Sequence, residues 1–169
     1  MRSLSQVAAL AVSLSLLSAC GGGGDEPPPP PEQTADAPAE TTAAAEDAAA
    51  PAPDSTDTID GTVFADFTAD PAHGAEVFQQ CAACHVLEEG VNRVGPSLAG
   101  IVGREAGTVE GYNYTPANAN SGITWTPEKL FQYLENPQRV VPGTKMAFPG
   151  LSDPQDRVDV IAYLESGGA

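Results

Sequence analysis

The chain has 169 residues, room for one modest domain and a long extension. Its formal net charge of −16, from 23 acidic against 7 basic residues, excludes a phosphate backbone as partner, so no nucleic-acid binding is expected. Residues 21–60 hold ten of the acids and no Lys or Arg, so the extension and the globular part differ in kind.

Arg2 precedes an apolar stretch over residues 7–17, then small residues and Cys20. A charged start, a short apolar region and a small-residue cleavage zone make a secretory signal peptide, here residues 1–19. The apolar run is too short to cross a bilayer comfortably. Leu17-Ser18-Ala19-Cys20 resembles the bacterial lipobox, in which the Cys is acylated and becomes the mature N-terminus. The competing reading is an ordinary export signal that happens to contain a Cys. Each buried acyl methylene stabilises membrane binding by about 0.8 kcal/mol, so two or three chains anchor firmly. The expected location is the periplasmic side of a bacterial membrane. Gly21 after the Cys leans by resemblance toward the outer membrane, with the inner membrane left open.

Residues 20–66 read as a linker. Four glycines at 21–24 and five prolines at 27–31 give way to Ala, Thr, Asp and Glu with no hydrophobic periodicity. Such a tract is expected to be disordered and extended by like charge. The domain is then expected over residues 67–169.

Asp70-Pro71 pairs an N-cap with proline at the first helical position, predicting a helix to about Ala83 with Gly74, Phe78 and Cys81 on one face. Loop is expected over residues 86–113. Thr126-Pro127 and Asn136-Pro137 predict two further helices, and Asp153-Pro154 a last one with Val160, Ile161, Tyr163 and Leu164 as its apolar contacts.

Cys81-Ala82-Ala83-Cys84-His85 is the strongest chemical signal. C-x-x-C-H is the attachment pattern of c-type haem, in which two thiols one helical turn apart bond the haem vinyl carbons and the adjoining His meets the iron. A zinc site lacks ligands: beyond this motif and an acylated Cys20 there is only His73. A thioredoxin-like motif expects alternating strands and helices, and a local disulfide leaves the His unexplained. The expected cofactor is therefore one covalent haem c on Cys81 and Cys84, with His85 as axial ligand.

The second axial ligand follows by elimination. His73 lies eight residues before Cys81 on the same predicted helix, about 12 Å along its axis, and cannot fold back over the far haem face. Met146 is the only Met besides the initiator and sits in the turn-rich Pro142-Gly143-Thr144-Lys145-Met146. A His/Met pair raises the reduction potential.

Further stretches carry a family resemblance: Gly95-Pro96-Ser97-Leu98-Ala99-Gly100, Gly111-Tyr112-Asn113-Tyr114-Thr115, Gly122-Ile123-Thr124-Trp125, Tyr133-Leu134-Glu135-Asn136-Pro137 and Ile161-Ala162-Tyr163-Leu164. With C-x-x-C-H and the Met146 loop they resemble, in order and spacing, class I cytochromes c of the mitochondrial and bacterial c2 type. The resemblance implies a small all-α fold packed around one haem. It implies that the Pro96 carbonyl holds the His85 ring, a role that fixes the tautomer of an iron-bound imidazole. It further implies that Arg104, Tyr112, Tyr114 and Trp125 serve the haem propionates, that Asn118, Tyr133 and Thr144 form a polar set on the methionine side, and that Phe148 covers the haem edge. Gly74 matches the crossing of first and last helices.

The function so implied is a monomeric, membrane-tethered single-electron carrier rather than an enzyme. It would link a quinol-cytochrome c reductase to a cytochrome oxidase or photosynthetic reaction centre. A fixed relay subunit of one membrane complex is the alternative, and a haem peroxidase or gas-binding domain a weaker one, since Met146 would close the iron. Mitochondrial relatives ring the haem edge with lysines. Here Gln138 and Glu110 stand at two such positions, while Arg139 and Lys145 remain basic.

Overall fold

Among the described residues, five of the six helices begin the same way, with a short polar residue followed by proline. Asp70, Thr115, Thr126, Asn136 and Asp153 each accept a backbone N–H of the first turn on the side-chain oxygen, and each precedes a proline whose missing N–H costs nothing there. Each cap is worth about 1 kcal/mol. In the computed structural model, which describes residues 49–169, the elements are α1 (Pro71–Val77), α2 (Gln79–Ala82), α3 (Pro116–Ala119), α4 (Pro127–Glu135), α5 (Pro137–Val140) and α6 (Pro154–Glu165). A single 3-10 turn, Phe64–Asp66, precedes them. No strand occurs among the described residues, only an isolated antiparallel bridge between Glu105 and Thr124. The all-α expectation holds. The expected signal peptide and lipidation site, residues 1–20, lie outside the described residues.

The first helix is interrupted where one was expected to run through to Ala83. At Phe78 the helix hands over from α1 to α2, and Cys81 N–H bonds back three residues to the Phe78 carbonyl. The short helix α3 adds an element beyond the expected four, although Thr115-Pro116 carries the same start signal as the others.

Packing is organised by the crossing of α1 and α6. A Cβ placed on Gly74 would lie 2.0 Å from the Asp159 carbonyl oxygen, so the two backbones touch and only glycine fits. Phe78 meets Tyr163 across this crossing with ring centroids 5.4 Å apart. Val158, Val160, Ile161 and Leu164 of α6 are buried with Leu130, Phe131 and Leu134 of α4, forming one core around a central cavity.

The expected linker ends earlier than residue 66. Residues 52–67 lie against α4, α5 and α6: Phe64 packs on Phe131 at 5.8 Å, and the backbone is held by buried Lys129 and Gln132. Composition hid this, because the side chains that do the holding belong to the helices.

Among the described residues no helix is long and apolar enough to cross a membrane.

Candidate haem site

The turn after α2 places the attachment motif. Cys84 and His85 N–H groups both bond to the Cys81 carbonyl, at 3.0 and 2.9 Å, so the two thiols and the imidazole follow one another around one tight turn. Cys81 is half-buried and Cys84 exposed. Burial, then the neighbouring Cys84, pushes the Cys81 thiol up to about 11. An activated redox C-x-x-C has its nucleophilic thiol pushed the other way, toward thiolate. Among the described residues no three His, Cys, Asp or Glu side chains converge as a metal ion would require.

His85 is fixed from behind. Its Nδ1 lies 2.7 Å from the Pro96 carbonyl oxygen. A carbonyl only accepts, so Nδ1 carries the proton and Nε2 keeps its lone pair. Burial holds the imidazole below its ordinary value, with the Pro96 hydrogen bond opposing, which keeps the ring neutral as an iron ligand requires. The 84–98 loop is itself pinned, with Gly95 N–H on the Cys84 carbonyl and Leu98 N–H on that of Val86. Gly95 stands in one of the stretches that carry the resemblance but was given no role, yet a Cβ there would lie 2.3 Å from His85 Cε1. The ring occupies the space that any side chain at this position would need.

Met146 arrives from the loop after α5. Tyr133 of α4 donates its hydroxyl to the Met146 sulfur at 3.4 Å, and Thr144 Oγ1 accepts the Met146 N–H at 3.3 Å. Burial raises the Tyr133 phenol, so it remains a donor across the working pH range. Lys145 latches the loop, donating its ammonium to the Asn113 carbonyl and lying 5.7 Å from the Tyr112 ring centroid. That latch had no sequence signal beyond a basic residue beside the methionine.

Between these walls lies a cavity of about 460 Å³, lined by Cys81, Cys84, His85 and Met146 together with every other side chain expected at the site. Pro96, Arg104, Tyr112, Tyr114, Asn118, Trp125, Tyr133, Thr144 and Phe148 all border it. The size falls within the roughly 300–1,000 Å³ usual for cofactor pockets. Arg104 donates to the Ala99 and Ser97 carbonyls at 2.8 and 2.9 Å, which aligns its guanidinium along the wall. Tyr112 donates to the Val94 carbonyl and stands edge-on to Tyr114 at 4.7 Å. Trp125 packs on Tyr133 at 4.7 Å. The Asn118 side-chain oxygen is buried with no hydrogen-bond partner, an orphan on the cavity wall. A largely apolar void, two cysteines, a neutral imidazole, a thioether and an unpaired polar atom fit a haem and fit little else.

Residues 71–168 match the family model for cytochrome c. Over 98 residues the chain is 56% identical to the cytochrome c2 of Rhodopila globiformis, covering 57% of this chain and 92% of that one. It is 52% identical over 98 residues to a cytochrome c of Arabidopsis thaliana, covering 57% of this chain and 88% of the relative. Among solved structures, cytochrome cH from Methylobacterium extorquens superposes with a TM-score of 0.55 and 47% identity, covering 57% of this chain and 98% of that chain. One covalent haem c on Cys81 and Cys84 accounts for the motif, the cavity and these likenesses together. The chain belongs to the cytochrome c family and is an electron carrier, not an enzyme.

Proposed function

We propose that this protein is a lipid-anchored periplasmic carrier whose haem iron is held by His85 and Met146. It would pass single electrons from a quinol-cytochrome c reductase to a cytochrome oxidase or reaction centre. The observation that carries the reading is the cavity into which both an imidazole with a free Nε2 and a hydrogen-bonded thioether are delivered. The bound haem supplies the reversible one-electron couple; the protein supplies everything that tunes it. Pro96 raises the basicity of His85 through Nδ1, while Tyr133 draws electron density from the Met146 sulfur, and a His/Met pair favours a high potential. Cys81 and Cys84 prevent loss of the cofactor outside the cell's reducing compartment. Arg104, Tyr112, Tyr114 and Trp125 are assigned to the propionate side, where buried carboxylates need donors. Asn118 and Thr144 are assigned to the methionine side, and Phe148 to the haem edge.

Acylation at Cys20 and the Ala, Pro and acid-rich tract that follows would hold the domain at a membrane surface as a monomer. Nothing favours a fixed relay over a mobile carrier as strongly as that tract disfavours it, because a permanently seated subunit needs no long leash.

The decisive variant is Met146→Ala. Haem stays covalently attached through both cysteines, the weak red absorption band of an iron(III)–thioether bond disappears, and the reduction potential falls. A variant that kept the band would remove Met146 from the ligand set.

A further inference from the structure

The outer face of α4 is built to hold a peptide, and the peptide is this chain's own residues 52–67, outside the segment matched to the family. Lys129 is 2% exposed, and its ammonium donates to the Ala52 and Ser55 carbonyls at 3.1 and 2.9 Å and to Gln132 Oε1 at 2.7 Å. Gln132, wholly buried, donates its amide to the Asp57 carbonyl at 2.8 Å, and Arg139 reaches the same carbonyl at 2.7 Å. The Glu135 carboxylate accepts the Ile59 and Asp60 N–H groups at 2.7 and 2.9 Å. Arg157 of α6 is fully buried, pairs with Asp60 and Glu135, and lies 4.3 Å from the Phe131 ring centroid. Most of these contacts address main-chain atoms. They fix where the chain runs, and the Asp60 carboxylate and the Phe64 ring add side-chain anchors on Arg157 and Phe131.

At about 100° per residue, Lys129, Gln132 and Glu135 stand on the side of α4 nearly opposite Leu130, Tyr133 and Leu134, which line the haem cavity. No residue of the strap lines that cavity. At its upstream end the strap lies over Lys129, with Pro53 3.7 Å from a Cβ built on Gly122.

We infer that residues 52–67 form a fixed clasp that makes the chain upstream leave from the side of α4 away from the haem cavity, so that a domain held by its N-terminus is held from that side and leaves the cavity side free for a partner. This role rests on the reading of Cys20 as a lipid anchor. The clasp also sets the length of the leash. If the chain between them is the disordered linker expected from the sequence, about 32 residues from Cys20 to the closed clasp would span roughly 30 Å, and about 47 with it open roughly 38 Å. Effective concentration falls as about the −3/2 power of length, so opening by itself dilutes the domain only about twofold.

That factor gives the test its threshold. The lipidated, haem-loaded full chain is compared in native membranes with two variants: residues 52–67 replaced by Gly/Ser of equal length, and the gentler pair Asp60→Asn with Phe64→Ala. Hydrogen exchange should find the backbone amides at positions 59 and 60 protected in the parent and fast in both variants. Electron delivery to the membrane oxidase should drop at least fivefold, with the haem spectrum and potential unchanged. Parent and variants released by Cys20→Ala should reduce detergent-solubilised oxidase at equal rates. A membrane drop of twofold or less would reduce the clasp to a length effect and overturn its directional role, and unprotected parent amides would overturn the clasp itself. Retention of the Cys20→Ala chain in the membrane fraction would take down the anchor reading and the directional role with it, leaving the exchange result to stand for the clasp.

Discussion

Gly95 shows how much a site can depend on an absent side chain. The His85 ring sits against its backbone, with Cε1, Nδ1 and Nε2 all between 2.3 and 2.8 Å of where a Cβ would be. Gly95→Ala must therefore displace the ring or the 84–98 loop and strain the bond to Pro96. Overpacking of this kind costs about 1–3 kcal/mol. A denaturation midpoint lowered by that amount, with a shifted haem potential, is the expected result; an unchanged midpoint and potential would mean the loop yields freely. The residues proposed to hold the haem were easy to single out because chemistry restricts their residue types: thiols three apart, an adjoining His, one remaining Met. Gly95 was illegible for the opposite reason. Its requirement is for space, and space is set by a ring ten residues earlier that the sequence does not position.

At the scale of elements, the α1–α6 crossing carries a titratable link. His73 Nδ1 lies 2.8 Å from Asp159 and Nε2 3.9 Å from Asp156, while Asp159 also accepts the Asp70 N–H and the Gln155 amide. The Asp159 hydrogen bond raises His73 above its ordinary 6.5; partial burial opposes this, and Asp156, Asp159 and Glu76 add attraction. Burial works to raise Asp159, but the bonds from Asp70, His73 and Gln155 outweigh it and hold it below 3.8. A raised histidine stabilises the fold fully below pH 6.5 and loses that contribution as pH rises through the folded value. The carboxylate contributes above 3.8 and is lost as pH falls through its own lowered value. Urea midpoints should therefore decline between pH 6 and 8, and His73→Gln should flatten that decline. A parent protein with equal midpoints at both pH values would discount the link. The helix starts were legible here because an Asp, Asn or Thr before Pro is a local signal read without tertiary context. The break at Phe78 and the docking of residues 52–67 were not, since both depend on what α6 and α4 present to them.

For the molecule as a whole, charge and shape point to an unusual encounter. The rim of the haem cavity presents Gln80, Val94, Ala147 and Lys145, and Val94 is 77% exposed. Lys145 is the one cation of the four, and its ammonium is already engaged by Asn113 and Tyr112. Residues 61–169 carry thirteen acids against six bases, so long-range attraction to an acidic partner is missing. Carriers steered by a lysine ring slow steeply as salt rises, because steering is a screened interaction. The released domain should instead react with its acceptor at a rate that is flat or rising between 10 and roughly 200 mM salt, near the unsteered 10⁵–10⁶ M⁻¹s⁻¹ at the low end. A steep fall in stopped-flow rates would reveal a basic docking site elsewhere.

The two-sidedness of α4 also constrains how such a protein can be inherited. A recombination joining these helices to a foreign leader at residue 70 would strip Lys129 of two carbonyl acceptors and Arg157 of Asp60, leaving them only Gln132 and Glu135 on the side of α4 away from the haem cavity. A graft that respected only the family boundary at residue 71 would carry the cofactor pocket across while removing the chain that covers the far side of α4.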